Sequence, residues 1–396
     1  MLRILTPGES HGPALTAILE GIPFGLKITA EAINEQLKRR QMGYGRGRRQ
    51  AIEHDTVEFL SGVRHGYTLP GPITLVVRNR DFANWQTRMG AEPAIQSVTP
   101  IQCPRPGHAD FAGALKYELT DIRDVLERSS ARATAALVAA GAVCRVFLGE
   151  LGIRVYGYVV GIGQVSSPSV PVESLGALEA DLAASPVRCA DRDASDRMVA
   201  AIDAAKEQGD TLGGVFEVVA VGSPPGLGTH TQWDRRLDAR LASAMMSIQA
   251  IKAVEIGVGM RGASLPGSAV HDELLYDADS GFYRTGNSAG GIEGGISNGE
   301  PIVVRCGMKP LPTLRNRLRS VNVHTREAVQ AHFERSDVCA VPAASVIGEA
   351  MMCIVLAEAA LDRFGGDSMQ AVLRNLAATR AELADRGYTG VRWSPR

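Results

Sequence analysis

The stretch "ASVIGEAMMCIVLAEAALDRFGG", residues 344–366, decides how the rest of the chain is arranged. Its small and apolar side chains run round the whole circumference of a helix, and the Gly–Gly pair at its end reads as a C-cap. A helix without a polar face has no side to offer water, so it is buried. Two further segments share this character. "ARATAALVAAGAVCRVFLGEL" (131–151) is nearly all alanine, valine and leucine, and "RRLDARLASAMMSIQAIKAVEIG" (235–257) places Leu237, Leu241, Met245 and Ile248 on one stripe. Both are read as helices throughout.

Such helices need covering, and strand-like runs are at hand in "GPITLVVRN" (71–79), "RVYGYVVGIG" (154–163), "GGVFEVVAVG" (213–222) and "PIVVRCGM" (301–308). In "VFEVVAVG", Val215, Glu217, Val219 and Val221 fall on one face and Phe216, Val218 and Ala220 on the other. Two mostly apolar faces predict a strand covered on both sides. The elements do not follow the regular βαβα rhythm of a dinucleotide-binding fold. The prediction is a layered α/β (α+β type) core with Ala/Met-rich helices buried in it. No linker or repeat divides the chain, so one domain is expected over 1–396, with a surface excursion at about 166–196 around "SSPSVPV" and "DRDASDR".

Apolar residues make up 45% and charged residues 21% of the 396, which suits an ordinary globular protein. A net charge of −1 argues against a molecule that binds polyanions with its whole surface, so basic work must be local. Six cysteines without a CxxC pair read as buried free thiols in a reducing compartment, with no metal site. The first apolar run is too short for a signal peptide and no stretch is read as a membrane span, so a cytoplasmic protein is expected.

Six places could carry chemistry, one of them "RSDVCAVPA" (335–343), where Arg335 and Asp337 precede the buried helix. In "RPGHADFAG" (105–113), Pro106 and Gly107 hold a turn that presents His108 beside Arg105 and Asp110. "GESHG" (8–12) sets Ser10 and His11 between glycines after a short strand, which also describes a plain tight turn. "KRRQMGYGRGRR" (38–49) holds six cations and no acid; its arginines suit a bidentate grip on phosphate or carboxylate, although a solvated face has the same composition. In "RSSAR" (128–132) a serine N-cap would leave backbone N–H groups facing an anion between Arg128 and Arg132; the alternative is one continuous helix from about Ala114. "GGIEGGISNGEPI" (290–302) allows close approach to a ligand or is a mobile loop, and "KPLPT" (309–313) follows the next strand. "GVGMRG" (257–262) matches GxGxxG, but it comes after an apparent helix end and precedes Pro266, so it is read as chance.

These segments, in this order, resemble the chorismate synthase family. The likeness runs from "GESHG" through "RRQMGYGRGRR", "SGVRHGYTLPGPI" (61–73), "RPGHADFAGALKY", "DVLERSSARATAA", "GDTLGG" (209–214), "MMSIQAIKAVEIG", "GGIEGGISNGEPI" and "MKPLPT" to "RSDVCAVPA" (335–343). It implies a β-α-β sandwich, usually a homotetramer. It implies conversion of 5-enolpyruvylshikimate 3-phosphate to chorismate, the last step of the shikimate pathway, by 1,4-elimination of phosphate and a ring proton. Reduced FMN is required without net redox change.

The resemblance also implies roles. A substrate with two carboxylates and a phosphate needs converging cations, and Arg40, Arg46, Arg49, Arg105, Arg132 and Arg335 are similar to the family's, with Ser10 and Ser130 as hydroxyl donors. His11 matches the acid at the phosphate, His108 the acid beside the flavin, and Asp337 the residue that helps flavin N5 lose its proton. Arginines beside such a histidine should lower its pKa and a bound phosphate should raise it. Flavin contacts fall on Ser130, Ala131, Arg132, Gln249, Ala250 and Gly294, then on Lys309, Pro310, Leu311, Pro312 and Thr313, and on Arg335. NADPH contacts fall on Arg40 and Arg46. NADPH is one possible reductant and an external flavin reductase another; the length of the chain favours the external enzyme. Neither nucleic acid nor membrane is expected as a partner. A nicotinamide-dependent dehydrogenase would need a dinucleotide motif in context, and an RNA-binding protein would leave the glycine-held histidines unexplained.

Overall fold

The computed structural model describes residues 2–47, 54–93, 98–279, 281–334 and 336–388. Two antiparallel sheets enclose a layer of helices. The first sheet contains β1 (Arg3–Leu5), β2 (Ala14–Glu20), β3 (Val57–Ser61) and β4 (Ile73–Arg78), in the order β1-β2-β4-β3. The second contains β5 (Arg154–Ile162), β6 (Val165–Ser166), β7 (Gly214–Val221), β8 (Ile251–Ile256) and β9 (Ile302–Met308), in the order β8-β9-β7-β5-β6. The helices that matter here are α1 (Ala30–Gln41), α2 (Asp110–Tyr117), α3 (Arg123–Ser129), α4 (Thr134–Glu150), α5 (Leu237–Met246) and α6 (Val341–Phe364).

Strand periodicity sorts the side chains. In β2, Leu15, Ala17 and Leu19 are buried, while the alternate residues Ala14, Thr16 and Ile18 are only partly covered. The inward set meets α4, and α4 packs along α6, which in turn lies on β5 and β7. One core therefore runs from Leu75 of β4 through Val143 of α4 and Met352 of α6 to Phe216 of β7. Small residues set the spacing of its middle layer. A Cβ at Gly141 of α4 would collide with Ala350 of α6, so the two helices approach as closely as their backbones allow.

The two apolar faces of β7 have separate partners. Phe216 and Val218 belong to the main core, whereas Val219 and Val221 join Tyr156 and Tyr158 of β5 under Val170, Leu175 and Leu182. The segment at 166–196, expected as a surface excursion, thus roofs the outer face of the second sheet.

Three other expectations need correction. The helix expected over 235–257 ends at Met246; Ala250 takes a left-handed φ of 68°, and Ile251–Ile256 is strand β8. The run before "GVGMRG" is therefore a strand and not a helix end. The chain then passes into a 3-10 turn (Gly259–Ser264) and a four-residue helix (Gly267–Val270), so the dinucleotide motif remains out of context. The segment 131–151 begins as a 3-10 turn, Ala131–Ala133, before α4. Finally, Val341–Phe364, and the run Arg123–Glu150 that the turn at Ser130–Ala133 divides, are long and apolar enough to cross a membrane, contrary to the sequence reading. Both are mostly buried inside the protein, where the middle layer of a sandwich supplies the apolar surroundings that such helices require. The six cysteines are free, five of them buried and Cys103 half-buried.

Candidate active site

The "GESHG" loop leaves β1 and folds back on β2. Gly8 makes this possible: its φ is 114°, and a Cβ there would meet Leu15 Cα at 2.9 Å. Asn79, just beyond β4, locks the loop by donating from Nδ2 to the carbonyls of Gly12 (2.7 Å) and Glu9 (3.2 Å). Ser10 is buried, and its Oγ donates to Ser130 Oγ at 3.0 Å. Ser130 accepts from the Arg132 N–H (3.2 Å) and caps the turn into α4, as an N-cap serine does. The continuous helix from Ala114 does not exist, because Glu118 ends α2 in a left-handed conformation, φ 56°.

His11 stands between a carboxylate and an indole. Its Nδ1 lies 2.9 Å from Glu127 Oε1, its backbone N–H donates to Glu127 Oε2 (2.7 Å), and its ring stacks on Trp85 with centroids 3.9 Å apart. Trp85 also borders an open cleft with Arg88 and Thr99. Burial opposes the charge on Glu127, but hydrogen bonds from His11 and the charges of His11 and Arg123 outweigh it and hold the carboxyl below its ordinary range.

The arginines behind this loop share one buried carboxylate, Asp55. Arg132 Nη1 donates to Oδ1 (2.5 Å) and Arg40 Nη2 to Oδ2 (2.6 Å), while Arg132 Nε holds Asn79 Oδ1 (3.0 Å). Burial lowers the pKa of Arg40 to about 10; Asp55 opposes the shift, and the nearby charges of Arg132 and Arg46 add to it. Arg46 in turn donates from Nη1 to Asp337 Oδ2 (2.7 Å), and the Gly47 N–H donates to Oδ1 (2.6 Å). The Nε atoms of Arg40 and Arg46 are buried without a partner among the described residues.

A second group forms round the "RPGH" turn. The Arg105 Nε and N–H both donate to Asp110 Oδ2 at 2.9 Å, and Arg105 Nη1 donates to Thr313 Oγ1 (3.0 Å). Burial opposes the Asp110 charge, yet His108 and Arg105 hold its carboxyl far below the usual range. An ionised carboxylate only accepts, so His108 Nδ1, 2.5 Å from Oδ1, carries the hydrogen, and Arg105 Nη2 can donate only to Nε2 (3.3 Å). Lys309 Nζ donates to Gly107 O (2.5 Å), and the Lys309 N–H donates to Ala250 O (2.9 Å). Thr211 Oγ1 holds Leu311 O at 2.7 Å. The "KPLPT" turn and the Gln249–Ala250 corner are thereby tied to the histidine loop.

Glu334 joins the two groups. It accepts from Arg123 Nη1 (2.6 Å), which also reaches Glu127 (3.3 Å), and it feels the charge of Arg105. Burial opposes its ionisation, but His332, Arg123 and Arg105 bring its pKa to about 2. These depressed carboxyls set an acid limit. Their contribution to stability is complete above the unfolded value of 4.5 and is lost as pH falls through the folded value, about 2 for Glu334. The urea midpoint is therefore expected to drop steadily from about pH 4.5 towards 2; a midpoint constant across that window would contradict this electrostatic picture.

The sites expected from sequence thus assemble unevenly. Ser10, His11, Arg40, Arg46, Ser130, Ala131, Arg132 and Asp337 belong to the first group. Arg105, His108, Ala250, Lys309 and Thr313 belong to the second, with Gln249, Pro310, Leu311 and Pro312 on the same two turns. Gly294 is at the tip of a hairpin (Ile292–Glu293 with Ile296–Ser297), beside His230. Arg49 and Arg335 lie outside the described residues. Sequence reasoning missed Asp55, Asn79, Trp85, Glu127 and Glu334. Glu127 lay in plain view in "VLERSSAR", but nothing in its spacing says that a carboxylate 116 positions away faces His11.

The sequence profile of the chorismate synthase family matches residues 2–361. A chorismate synthase of Desulforudis audaxviator is 56% identical over 376 residues, covering 95% of this chain and 96% of that protein. One of Geobacter sulfurreducens is 54% identical over 385 residues, with 95% and 97% coverage. A crystal structure of a chorismate synthase superposes with a TM-score of 0.79 at 44% identity, covering 97% of this chain and 98% of that one. Fold and site describe a small-molecule enzyme with imidazoles set among guanidinium groups, and the likeness narrows that class to carbon–oxygen lyases. The chain belongs to the chorismate synthase family.

Proposed function

We propose that the chain converts 5-enolpyruvylshikimate 3-phosphate to chorismate by a 1,4-elimination that depends on reduced FMN, with the two described groups as its active site. One observation carries the reading: both imidazoles are anchored through Nδ1 to buried carboxylates, His11 on Glu127 and His108 on Asp110, among arginines that Glu334 links together. Such anchoring keeps a hydrogen on Nδ1 of each ring; it leaves Nε2 of His11 as the nitrogen that exchanges a proton, whereas Nε2 of His108 accepts from Arg105. His11 takes up a second proton on Nε2 when the phosphate monoester binds. It gives that proton to the departing phosphate, whose negative charge grows as the C–O bond breaks, and keeps its Nδ1–H on Glu127. Arg40, Arg46 and Arg132 supply the surrounding positive field, with Arg49 and Arg335 as further cations, and Ser10 and Ser130 supply hydroxyls. Asp337, held by Arg46 and the Gly47 N–H, is the carboxylate assigned to help flavin N5 lose its proton.

The flavin reading has a structural test. Gln249 Oε1 is buried without a partner among the described residues, beside a left-handed Ala250, and a polar atom in that condition suits a ligand bearing N–H donors. Gln249, Ala250 and Lys309–Thr313 would hold the flavin from the side of His108, and Ser130–Arg132 from the side of His11; Gly294 and Arg335 are the remaining candidates. When bound, reduced FMN supplies electron density to the allylic centre from which phosphate departs. Arg40 is 3% exposed and committed to Asp55, which favours an external reductase over NADPH binding at this residue. A cytoplasmic homotetramer is the accompanying reading; the exposed Leu274, Leu275 and Tyr276 offer apolar surface for assembly.

An anaerobic phosphate-release assay tests the proposal. Release is expected with chemically reduced FMN and with neither oxidised FMN nor NADPH plus oxidised FMN. Release in air without reduced flavin would refute the elimination proposed here, and release with NADPH alone as reductant would refute the external-reductase reading.

A further inference from the structure

We infer that Glu127 is the positioning residue for the His11 imidazole: it takes Nδ1–H, commits Nε2 to proton transfer, and together with Trp85 fixes the plane of the ring. This deepens the role proposed for His11 and rests on it. Glu127 is 1% exposed, and a carboxylate so deep in the protein is costly unless its oxygens are occupied. Both are. Oε2 takes the His11 backbone N–H at 2.7 Å, and Oε1 faces His11 Nδ1 at 2.9 Å and Arg123 Nη1 at 3.3 Å. One side chain therefore grips the main chain and the ring of the same histidine, which leaves the ring little freedom about χ1 and χ2. An ionised carboxylate has no hydrogen to give, so Nδ1 is the protonated nitrogen of the neutral ring and Nε2 the one that exchanges.

The plane of the ring is held separately. The Trp85 indole stacks on it at 3.9 Å and 30°, and Trp85 is itself pinned, with Nε1 donating to Asp81 Oδ2 at 3.0 Å. The Arg123 guanidinium lies 5.1 Å from the Trp85 ring and that of Arg88 5.8 Å away. Arg123 is fixed by Glu334 at 2.6 Å. Glu334, Arg123 and Glu127 thus form a supporting line that ends at His11. Carboxylate–histidine arrangements of this kind fix tautomer and orientation, and their loss typically costs about 10–100-fold, up to about 10⁴-fold where the tautomer is inverted.

The experiment uses the full-length chain labelled with ¹⁵N-histidine, comparing the parent with Glu127→Gln, Glu127→Asp and His11→Ala. In the parent, neutral His11 is expected to show the Nδ1–H signature; an Nε2–H signature would overturn the inference whether or not any variant folds. Glu127→Gln is expected to mix the tautomers and to lower kcat by about 10²-fold with KM and flavin affinity retained, and Glu127→Asp to recover part of the loss. If His11→Ala loses activity while Glu127→Gln keeps both rate and tautomer, the positioning role falls and the reading of His11 stands. If His11→Ala turns over at the full rate, the acid assignment itself falls.

Discussion

His11→Ala should turn over about 10²- to 10⁴-fold more slowly than the parent at saturating substrate and reduced FMN, with little change in thermal stability. The magnitude is that of a general acid whose proton relieves charge on a leaving group. The expectation of an intact fold comes from the partners left behind. The residue 11 backbone N–H still reaches Glu127 Oε2, and Arg123 still reaches Oε1, so the buried carboxylate keeps two donors after the imidazole is gone. Ser10 and Ser130 keep each other, and Asn79 keeps the loop carbonyls. Flavin affinity should also survive, because the residues assigned to the flavin are anchored by contacts that do not pass through the His11 ring. Steady-state phosphate release and a flavin titration on the same preparation check both halves. A rate within threefold of the parent would remove His11 from the chemistry; a collapse in flavin affinity would place it in cofactor binding instead.

Sequence reasoning served unequally at different scales, and the physical reasons are specific. Strands buried on both faces announce themselves: the runs at 154–163 and 213–222 became Arg154–Ile162 and Gly214–Val221 almost residue for residue. The helix at 344–366 became Val341–Phe364 because an apolar circumference has one destination in a folded chain. The run 235–257 failed for a local reason. Its stripe of Leu237, Leu241, Met245 and Ile248 is indeed buried, but the chain then turns through Ala250, a non-glycine residue in the left-handed region that tertiary contacts impose. In the site, the histidines and serines stood out because glycines and prolines frame them. The carboxylates that organise them did not. Asp55, Glu127 and Glu334 are ordinary acids in sequence and become special only when burial forces each to collect cations from distant segments.

Glu349 shows this burial logic most strongly, and its replacement should have the largest effect on stability of any single change proposed. It sits on α6 at 2% exposure, in the middle layer, and is partnered from three directions. Arg39 of α1 grips it with two donors (2.6 and 2.7 Å), Arg145 of α4 reaches it at 3.0 Å, and Arg188 reaches it at 3.0 Å from the segment over the second sheet. The Gly157 N–H of β5 completes the set at 2.9 Å. Burial opposes the charge, but the three guanidiniums bring the Glu349 pKa to about 2, while burial leaves Arg188 at about 10 despite the carboxylate. Glu349→Ala would strand a buried guanidinium and a buried backbone donor together. The expected loss is about 3–5 kcal/mol, because removing one member of a buried ion pair costs far more than the pair contributes. The sign with pH distinguishes this from simple loss of packing. A carboxyl whose folded pKa is depressed stabilises fully above its unfolded value near 4.5 and progressively less below it, towards 2. Urea unfolding of parent and variant should therefore differ widely at pH 7 and converge as the pH approaches 2. A difference that is the same at both ends would identify the loss as packing alone, and a difference below about 1 kcal/mol at pH 7 would mean that the arginines find other partners or water when the carboxylate is gone.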